Sequence, residues 1–469
     1  MSKIIVKKSG PLKGSVNIPG AKNSALKLMA ASILAEKECI IENVPHLLDV
    51  TAMKNLLAAL GLGVKHDVKK SIMKITPAAN LSGEPPYELM QEMRASVVVL
   101  GPLLAKLGKV KLTMPGGCKI GNRPIDLHIK GLSALGAKVY YGFSVDGRQV
   151  ITEDVVTLAQ IKSSNGFIVV EAPDGGLKGA DIYLDFPSVG ATENIMMAAT
   201  VAEGVTLIQN AAKEPEIIDL ANFINELGGK IMGAGTDTIR ITGVKHFGGT
   251  RHQTIPDRII AITYMLGAVI TGGEIELKNV MPSHLRSVTA KLREMGVEID
   301  EEDDAVTVKT PSERLKGTVL TTLPYPGIPT DVQAPFMALL AVNDGTSIIT
   351  ENVFENRFLH VPELNKMGAS ITTAGHVATI KGVSKLTGRE VQATDLRCGA
   401  ALVLAGLVAE GTTVINGVHH IDRGYPRIEE DLAQLGADIT RTEDAEKSEK
   451  RDAEKKKKDR THSKSAKRK

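Results

Sequence analysis

Residues 24–44 read SALKLMAASILAEKECIIENV: a run of small and aliphatic residues at helical spacing, a short polar break, then a β-rich stretch ending in Asn-Val. The same plan returns as ENIMMAATVAEGVTLIQNA (193–211), APFMALLAVNDGTSIITENV (334–353) and GAALVLAGLVAEGTTVINGV (399–418). A second phrase, Leu/Met-Gly-x-x-Val/Ile, follows each copy and also occurs between them. It stands at Leu60-Gly61, Leu135-Gly136, Leu227-Gly228, Met295-Gly296, Met367-Gly368 and Leu435-Gly436. Each of these glycines is placed to cap an amphipathic helix, and the β-branched residues after it to begin a strand. The phrases define six copies of one unit with two helices and several strands each, an α/β (α+β) chain of two domains with three units apiece. Intervals of 75, 92, 68, 72 and 68 residues are too uneven for a solenoid. The longest interval predicts an added surface hairpin near residues 152–176.

At 469 residues the chain exceeds one typical core and suits two. Aromatic residues make up 3% and Trp is absent, so Leu, Ile, Val, Ala and Met fill the interior and base-stacking platforms are not expected. The start, MSKIIVKKSG, has no secretory apolar stretch, and the longest apolar run, near 95–105, is broken by Gly101 and Pro102. Three cysteines, Cys39, Cys118 and Cys398, lack metal-ligand spacing, which suits free thiols in a cytoplasmic setting. Residues 442–469 carry twelve Lys/Arg and seven Asp/Glu and almost no apolar side chain. They read as a disordered basic tail, and the net charge of +3 comes from it. A nucleic-acid role for this tail is the weaker reading, since the rest of the chain is slightly acidic and no binding module is recognisable. Deleting 442–469 is expected to leave turnover and both Michaelis constants within about twofold. A large rise in either constant would show the tail reaching the site.

Polar residues recur where helices begin. At the first helix of the units stand Lys22-Asn23, Arg94, Thr192-Glu193, Asp257-Arg258, Asp331, and Asp395 with Arg397. At the second stand His46 and Asp49, the 116–128 segment, Glu214 and Glu216, His284 and Arg286, Glu355 and Arg357, then His419, Asp422 and Arg423. Acidic residues and Asn at such places serve equally well as N-caps. Basic residues there oppose the helix dipole, and several of them converging would make an anion site. In Pro115-Gly-Gly-Cys118-Lys-Ile-Gly-Asn-Arg123, glycines let the backbone approach a ligand and the cations favour a thiolate, so Cys118 is a candidate acid or nucleophile. Cys39 and Cys398 read as small core residues.

The stretches GAKNSAL (20–26), MRAS (93–96), PGGCKIGNRPIDLH (115–128), SVGATEN (188–194), PTDVQA (329–334), FENRFLHVPEL (354–364), ATDLR (393–397) and HIDRGY (420–425) resemble, in order, the UDP-N-acetylglucosamine 1-carboxyvinyltransferase family. This resemblance implies an inside-out α/β barrel with two domains of three βαβαββ units. One would hold 22–254 and carry the Cys118 loop; the other would hold 1–21 with 255–441. It also implies transfer of the enolpyruvyl group of phosphoenolpyruvate to the 3′-hydroxyl of UDP-N-acetylglucosamine, the first committed step of peptidoglycan synthesis, with no cofactor or metal. Cys118 would then protonate the substrate and carry a covalent phosphoenolpyruvate adduct, and Asp331 would be the base. Lys22, Asn23, Arg123, Arg357, Arg397 and Arg423 would bind phosphoenolpyruvate. Arg94, Arg123, Pro124, Ile125, Asp126, Leu127, Ser188, Val189, Gly190, Asp331 and Val353 would contact the UDP-sugar. The partners implied are these small molecules, with neither membrane nor nucleic acid. Two neighbouring readings are a divergent paralogue of low activity and 5-enolpyruvylshikimate-3-phosphate synthase; Cys118 speaks against the second. The family's PDRIEAGT phrase reads here as Pro256-Asp-Arg-Ile-Ile260, which predicts a missing polar link near the domain crossing.

Overall fold

The computed structural model describes residues 2–114, 116, 124–145, 148–152 and 166–442. Six helices rich in Ala, Gly and branched apolar residues lie inside: Lys22–Ala31, Leu100–Leu107, Val189–Ala199, Arg258–Thr271, Gln333–Leu340 and Leu396–Val408. Every residue from Arg258 to Ile270, and from Arg397 to Leu407, is buried. A helix that is apolar all round has no solvent face to offer and settles in the centre. The six companion helices, such as Leu48–Ala59 and Pro215–Glu226, are amphipathic: the latter buries Ile217, Leu220, Phe223 and Ile224 and exposes Ile218.

All six companion helices stop as the sequence predicts. The glycines after Leu60, Leu135, Leu227, Met295, Met367 and Leu435 adopt φ between +93° and +107°, a region that side chains with a Cβ rarely enter. The strand that follows each of them joins a four-stranded sheet on the outside. Five of these six sheets share one plan. In the first, Arg251–Gln253 runs parallel to Cys39–Glu42, which continues antiparallel to Ile72–Thr76 and then Gly63–Asp67. Strands alternate buried and exposed residues, as in Thr346–Glu351, so one face packs on the helices and the other meets solvent.

The sixth sheet is antiparallel throughout and has an added edge strand, Arg148–Thr152, beside Lys138–Val145. This corrects the hairpin expected at 152–176. The extra strand ends at the first residue of that range, and Phe167–Glu171 within it is an interior strand paired on both sides. Its apolar Ile168 and Val170 belong to the core. Part of the expected insertion, 153–165, lies outside the described residues.

Buried apolar side chains form two clusters, one drawn from residues 25–247 and the other from 4–18 together with 259–439. The N-terminal strands explain the second grouping. Lys3–Lys7 pairs with Thr412–Asn416 and Ile439–Thr442, and Lys13–Asn17 with Glu274–Lys278. Thr442 is thus part of a strand, its hydroxyl accepting from Lys3 N at 3.1 Å, so the basic tail begins at Glu443 and the deletion above should too. The remainder of the tail lies outside the described residues.

Two segments cross between the clusters side by side. Ala21 N donates to Ile255 O at 2.7 Å and Asp257 N to Pro19 O at 2.9 Å, with Gly20 opposite Pro256. A Cβ on Gly20 would stand 1.7 Å from Asn43 O, so only glycine fits this crossing. No helix among the described residues is long and apolar enough to cross a membrane.

Candidate active site

Beside this crossing, helix starts from both halves face one another. Lys22 opens the Lys22–Ala31 helix; its N–H donates to Asp257 Oδ2 at 3.0 Å and its Nζ reaches Asp49 Oδ2 at 3.2 Å. Asp49, in the first turn of Leu48–Ala59, gives its other oxygen to Arg423 Nε of the opposite half at 2.8 Å. Leu48 N donates to Asp422 O at 3.2 Å, so backbone and side chains bridge the halves together. Across from them, Asp331 in the short turn Thr330–Val332 receives Arg357 Nη2 at 2.6 Å and Arg397 Nη2 at 2.9 Å. Arg397 is braced from behind by Tyr425, whose hydroxyl accepts from Nη1 at 3.3 Å and lies 2.8 Å from the Thr263 hydroxyl.

Lys22, Arg423, Arg357 and Arg397 thus stand against Asp49, Asp331 and the nearby Asp257, leaving cations in excess in a sheltered place. The side chains of Arg357, Arg397 and Asp49 are 4%, 8% and 8% exposed, while Asp331 and Arg423, at 28% and 29%, keep an open edge. Burial alone would raise the Asp331 pKa, but Arg397 and Arg357 hold it well below the usual carboxylate range. Burial likewise opposes ionisation of Asp49, and Lys22 and Arg423 overcome it. Burial would lower the Arg397 pKa, and Asp331 chiefly keeps it raised. For Lys22 burial prevails: its pKa is lowered, with Arg397 adding to the effect and Asp49 and Asp331 opposing it. Such a cluster binds an anion by exchanging partners, since guanidinium forks released from carboxylates match phosphate and carboxylate equally well.

The structure separates cations from caps. Asp257 and Asp395 are true N-caps, accepting from Ile259 N and Ile260 N, and from Arg397 N and Cys398 N. Ser188 caps Val189–Ala199 through Ala191 N. Asp49 and Asp331 cap nothing and hold cations instead. Other predicted residues sit on neighbouring helix starts. Asp126 and Leu127 open Asp126–Ala134, preceded by Pro124 and the buried Ile125, and Val189 and Gly190 open the next inner helix. These two starts touch, because a Cβ on Gly190 would stand 3.2 Å from the His128 ring. Burial first, then Arg94 and Lys27, lowers the His128 pKa to about 3, which makes it a neutral partner for Asn194 at 2.8 Å. Val353 lies near Asp331: its N–H donates to Glu351 Oε1 at 2.9 Å, and Glu351 Oε2 accepts from Thr330. Asn23 follows Lys22, and its carbonyl accepts from Lys27 Nζ at 3.2 Å.

Cys118 and Arg123 lie outside the described residues. The other two thiols are buried, and burial pushes Cys398 up to about 11 and raises Cys39, so both stay protonated and unreactive. Arg286 is exposed and, like His46 with its ring against His66 and His419 against His420, takes no part in the cluster. Ile260 makes no polar link, as the sequence suggested. It is buried in the apolar cluster, while Arg258, two residues before it, reaches Glu216 with contacts of 3.1 and 3.3 Å. Among the described residues no group of three or more His, Cys, Asp or Glu is placed to hold a metal ion. Local reading missed two buried polar contacts on the Lys22 helix, Lys27 with Glu193 and Ser24 with Asp219. Burial pushes the Glu193 pKa up to about 7 against the pull of Lys27.

The chain is similar to known proteins over nearly its whole length. The sequence matches the family described as EPSP synthase (3-phosphoshikimate 1-carboxyvinyltransferase) over residues 6–432. It is 53% identical over 440 residues to UDP-N-acetylglucosamine 1-carboxyvinyltransferase 1 of Caldanaerobacter subterraneus subsp. tengcongensis, covering 94% of this chain and 99% of that one. It is 52% identical over 444 residues to UDP-N-acetylglucosamine 1-carboxyvinyltransferase of Finegoldia magna, with 94% and 99% covered. Among solved structures it is similar in fold to the enolpyruvyl transferase NikO from Streptomyces tendae, with TM-score 0.81, 24% identity, and 94% and 99% covered. The EPSP synthase from Acinetobacter baumannii gives TM-score 0.69 at 18% identity, with 94% and 100% covered.

Proposed function

The chain belongs to the EPSP synthase family, and on that premise we propose that it transfers the enolpyruvyl group of phosphoenolpyruvate to the 3′-hydroxyl of UDP-N-acetylglucosamine, releasing phosphate. The observation that carries this reading is the Lys22, Asp49, Arg423, Asp331, Arg357 and Arg397 cluster assembled from both halves. A substrate bearing both phosphate and carboxylate calls for several convergent cations, and relatives about half identical over nearly the whole chain carry the acceptor in their names.

In this reading Lys22, Asn23, Arg123 and Arg423 hold the phosphate, while Arg357 and Arg397 take the carboxylate. Their release from Asp331 matters for the chemistry. A carboxylate gripped by two guanidiniums is a poor proton acceptor, and sharing those cations with substrate anions returns basicity to it. The sugar 3′-oxygen attacks C2 of phosphoenolpyruvate and gives its proton to Asp331, while the Cys118 thiol protonates C3. The tetrahedral intermediate then returns a C3 proton to the Cys118 thiolate and expels phosphate, restoring the double bond and the thiol. Arg94, Pro124, Ile125, Asp126, Leu127, Ser188, Val189, Gly190 and Val353 line the path for the UDP-sugar. The domain division that goes with it places 22–254 in one body and 1–21 with 255–441 in the other, closing over the substrates. The setting is cytoplasmic peptidoglycan synthesis, and Cys118 is the thiol an epoxide such as fosfomycin would alkylate. The test is the product itself: proton and carbon NMR after incubation with both substrates should show a vinyl ether at the sugar 3′-oxygen. Recovery of unmodified UDP-N-acetylglucosamine would contradict it.

A further inference from the structure

We propose that Ser24, Asp219, His252 and Glu226 form a positioning network that ties the helix carrying Lys22 and Asn23 to the crossing between the halves. It rests on the reading that Lys22 and Asn23 serve the phosphate-bearing substrate. His252 lies in the strand Arg251–Gln253, immediately before the crossing. Its Nε2 is 2.8 Å from Asp219 Oδ1 and its Nδ1 is 2.9 Å from Glu226 Oε1. Asp219 and Glu226 are seven residues apart on the Pro215–Glu226 helix, two turns along one face. Asp219 Oδ2 accepts from the Ser24 hydroxyl and from Ile255 N at 3.4 Å. Ser24, Asp219 and His252 are 0%, 3% and 8% exposed. Glu226 Oε2 is fixed in turn by the Thr250 hydroxyl at 2.8 Å.

The chemistry follows from donors and acceptors. Ionised carboxylates only accept, so an imidazole between two of them carries both protons and is a cation. Burial works against that charge, and the hydrogen bonds the ring donates to Asp219 and Glu226 overcome it and raise the His252 pKa. The charged groups facing the ring are Asp219 and Glu226, with His284 of the other half within the field of Asp219. The Arg251–Glu42 pair belongs to the neighbouring strand positions and is partly exposed. A charged His252 thus fixes Asp219, Asp219 fixes Ser24 and the Ile255 backbone, and Ser24 sets the helix two residues from Lys22. Asp257 holds the same helix start from the other side through Lys22 N. The serine and the histidine act through Lys22 and Asn23 and touch no substrate.

The test uses the full-length enzyme with Ser24→Ala, His252→Gln and both together. Each single variant should raise KM for phosphoenolpyruvate about five- to tenfold, the loss of one charge-assisted hydrogen bond, with KM for the UDP-sugar and kcat within about twofold. The double variant should be no worse than the poorer single, because both break one chain of contacts. The alkaline fall in kcat/KM for phosphoenolpyruvate that accompanies His252 deprotonation should vanish in His252→Gln. Losses that multiply, or equal shifts in both KM values, would overturn the proposal. A second readout does not depend on turnover: NMR titration should show His252 holding its proton to higher pH than an ordinary histidine in the wild type, and titrating lower in Glu226→Gln, where a neutral amide replaces one of the two carboxylates facing the ring. Ordinary titration in both would overturn the network even in an active enzyme. Absence of enolpyruvyl transfer by the wild type would instead overturn the functional reading and leave the titration to judge the network.

Discussion

Replacing Cys118 by Ser is expected to cost about a hundredfold or more in turnover, with little change in either Michaelis constant. In the proposed reaction Cys118 supplies a proton to C3, and a serine hydroxyl, nearly the same shape, is far too weak an acid for the task at neutral pH. Cys118→Asp should keep substantial activity, because a carboxyl beside an anionic substrate in a water-poor site holds its proton to higher pH than usual. Neither variant offers a thiolate, so both should resist alkylation by fosfomycin. Phosphate release and intact-protein mass after fosfomycin treatment separate the three proteins. Turnover of Cys118→Ser at the parent rate would remove the acid role. Labelling of Cys39 or Cys398 would relocate the reactive thiol, against the burial that keeps both protonated.

Asp331→Asn is expected to lower kcat by about a hundred- to a thousandfold, since the amide can neither take the 3′-hydroxyl proton nor hold two arginines in register. Arg357 and Arg397 would lose their common partner, at 2.6 and 2.9 Å. The depressed pKa of Asp331 also gives a stability signature. A carboxylate whose folded pKa is lowered stabilises the native state above its unfolded pKa, and that contribution drains away as pH falls towards the folded value. The wild type should therefore lose more stability than Asp331→Asn on acidification below about pH 4, measured by urea unfolding. A variant with turnover within tenfold of the parent would place the base elsewhere.

How far these residues could be read from the sequence depended on the range of the forces involved. The Leu/Met-Gly stops were legible because a helix ending in a positive φ selects glycine locally, and all six adopt it. The inner helices were legible because unbroken apolar and small residues, as in 399–407, leave no face for water. Helix-start cations were expected to converge, and Lys22 and Arg397 do so, joined by Arg423 from the turn after Val418–Ile421 rather than from a helix start, but whether a given acid would cap or pair was not decidable. Asp257 and Asp395 cap while Asp49 and Asp331 pair, and that choice turns on neighbours from distant units. The same limit hid the Arg258–Glu216 link and the bonds of His252, which no periodicity announces. Phe167–Glu171 was misplaced for the opposite reason, because β-rich residues within an apparent insertion look alike whether they form an appended hairpin or an interior strand.

The central claim is that the cluster serves enolpyruvyl transfer to a UDP-sugar, and the acceptor dependence of phosphate release tests it most directly. The purified enzyme would be mixed with phosphoenolpyruvate and, in parallel, with UDP-N-acetylglucosamine, with shikimate 3-phosphate, or with neither. Sustained phosphate release is expected with UDP-N-acetylglucosamine, and no sustained release in the other two mixtures. Release driven by shikimate 3-phosphate, or none with the UDP-sugar, would contradict the claim.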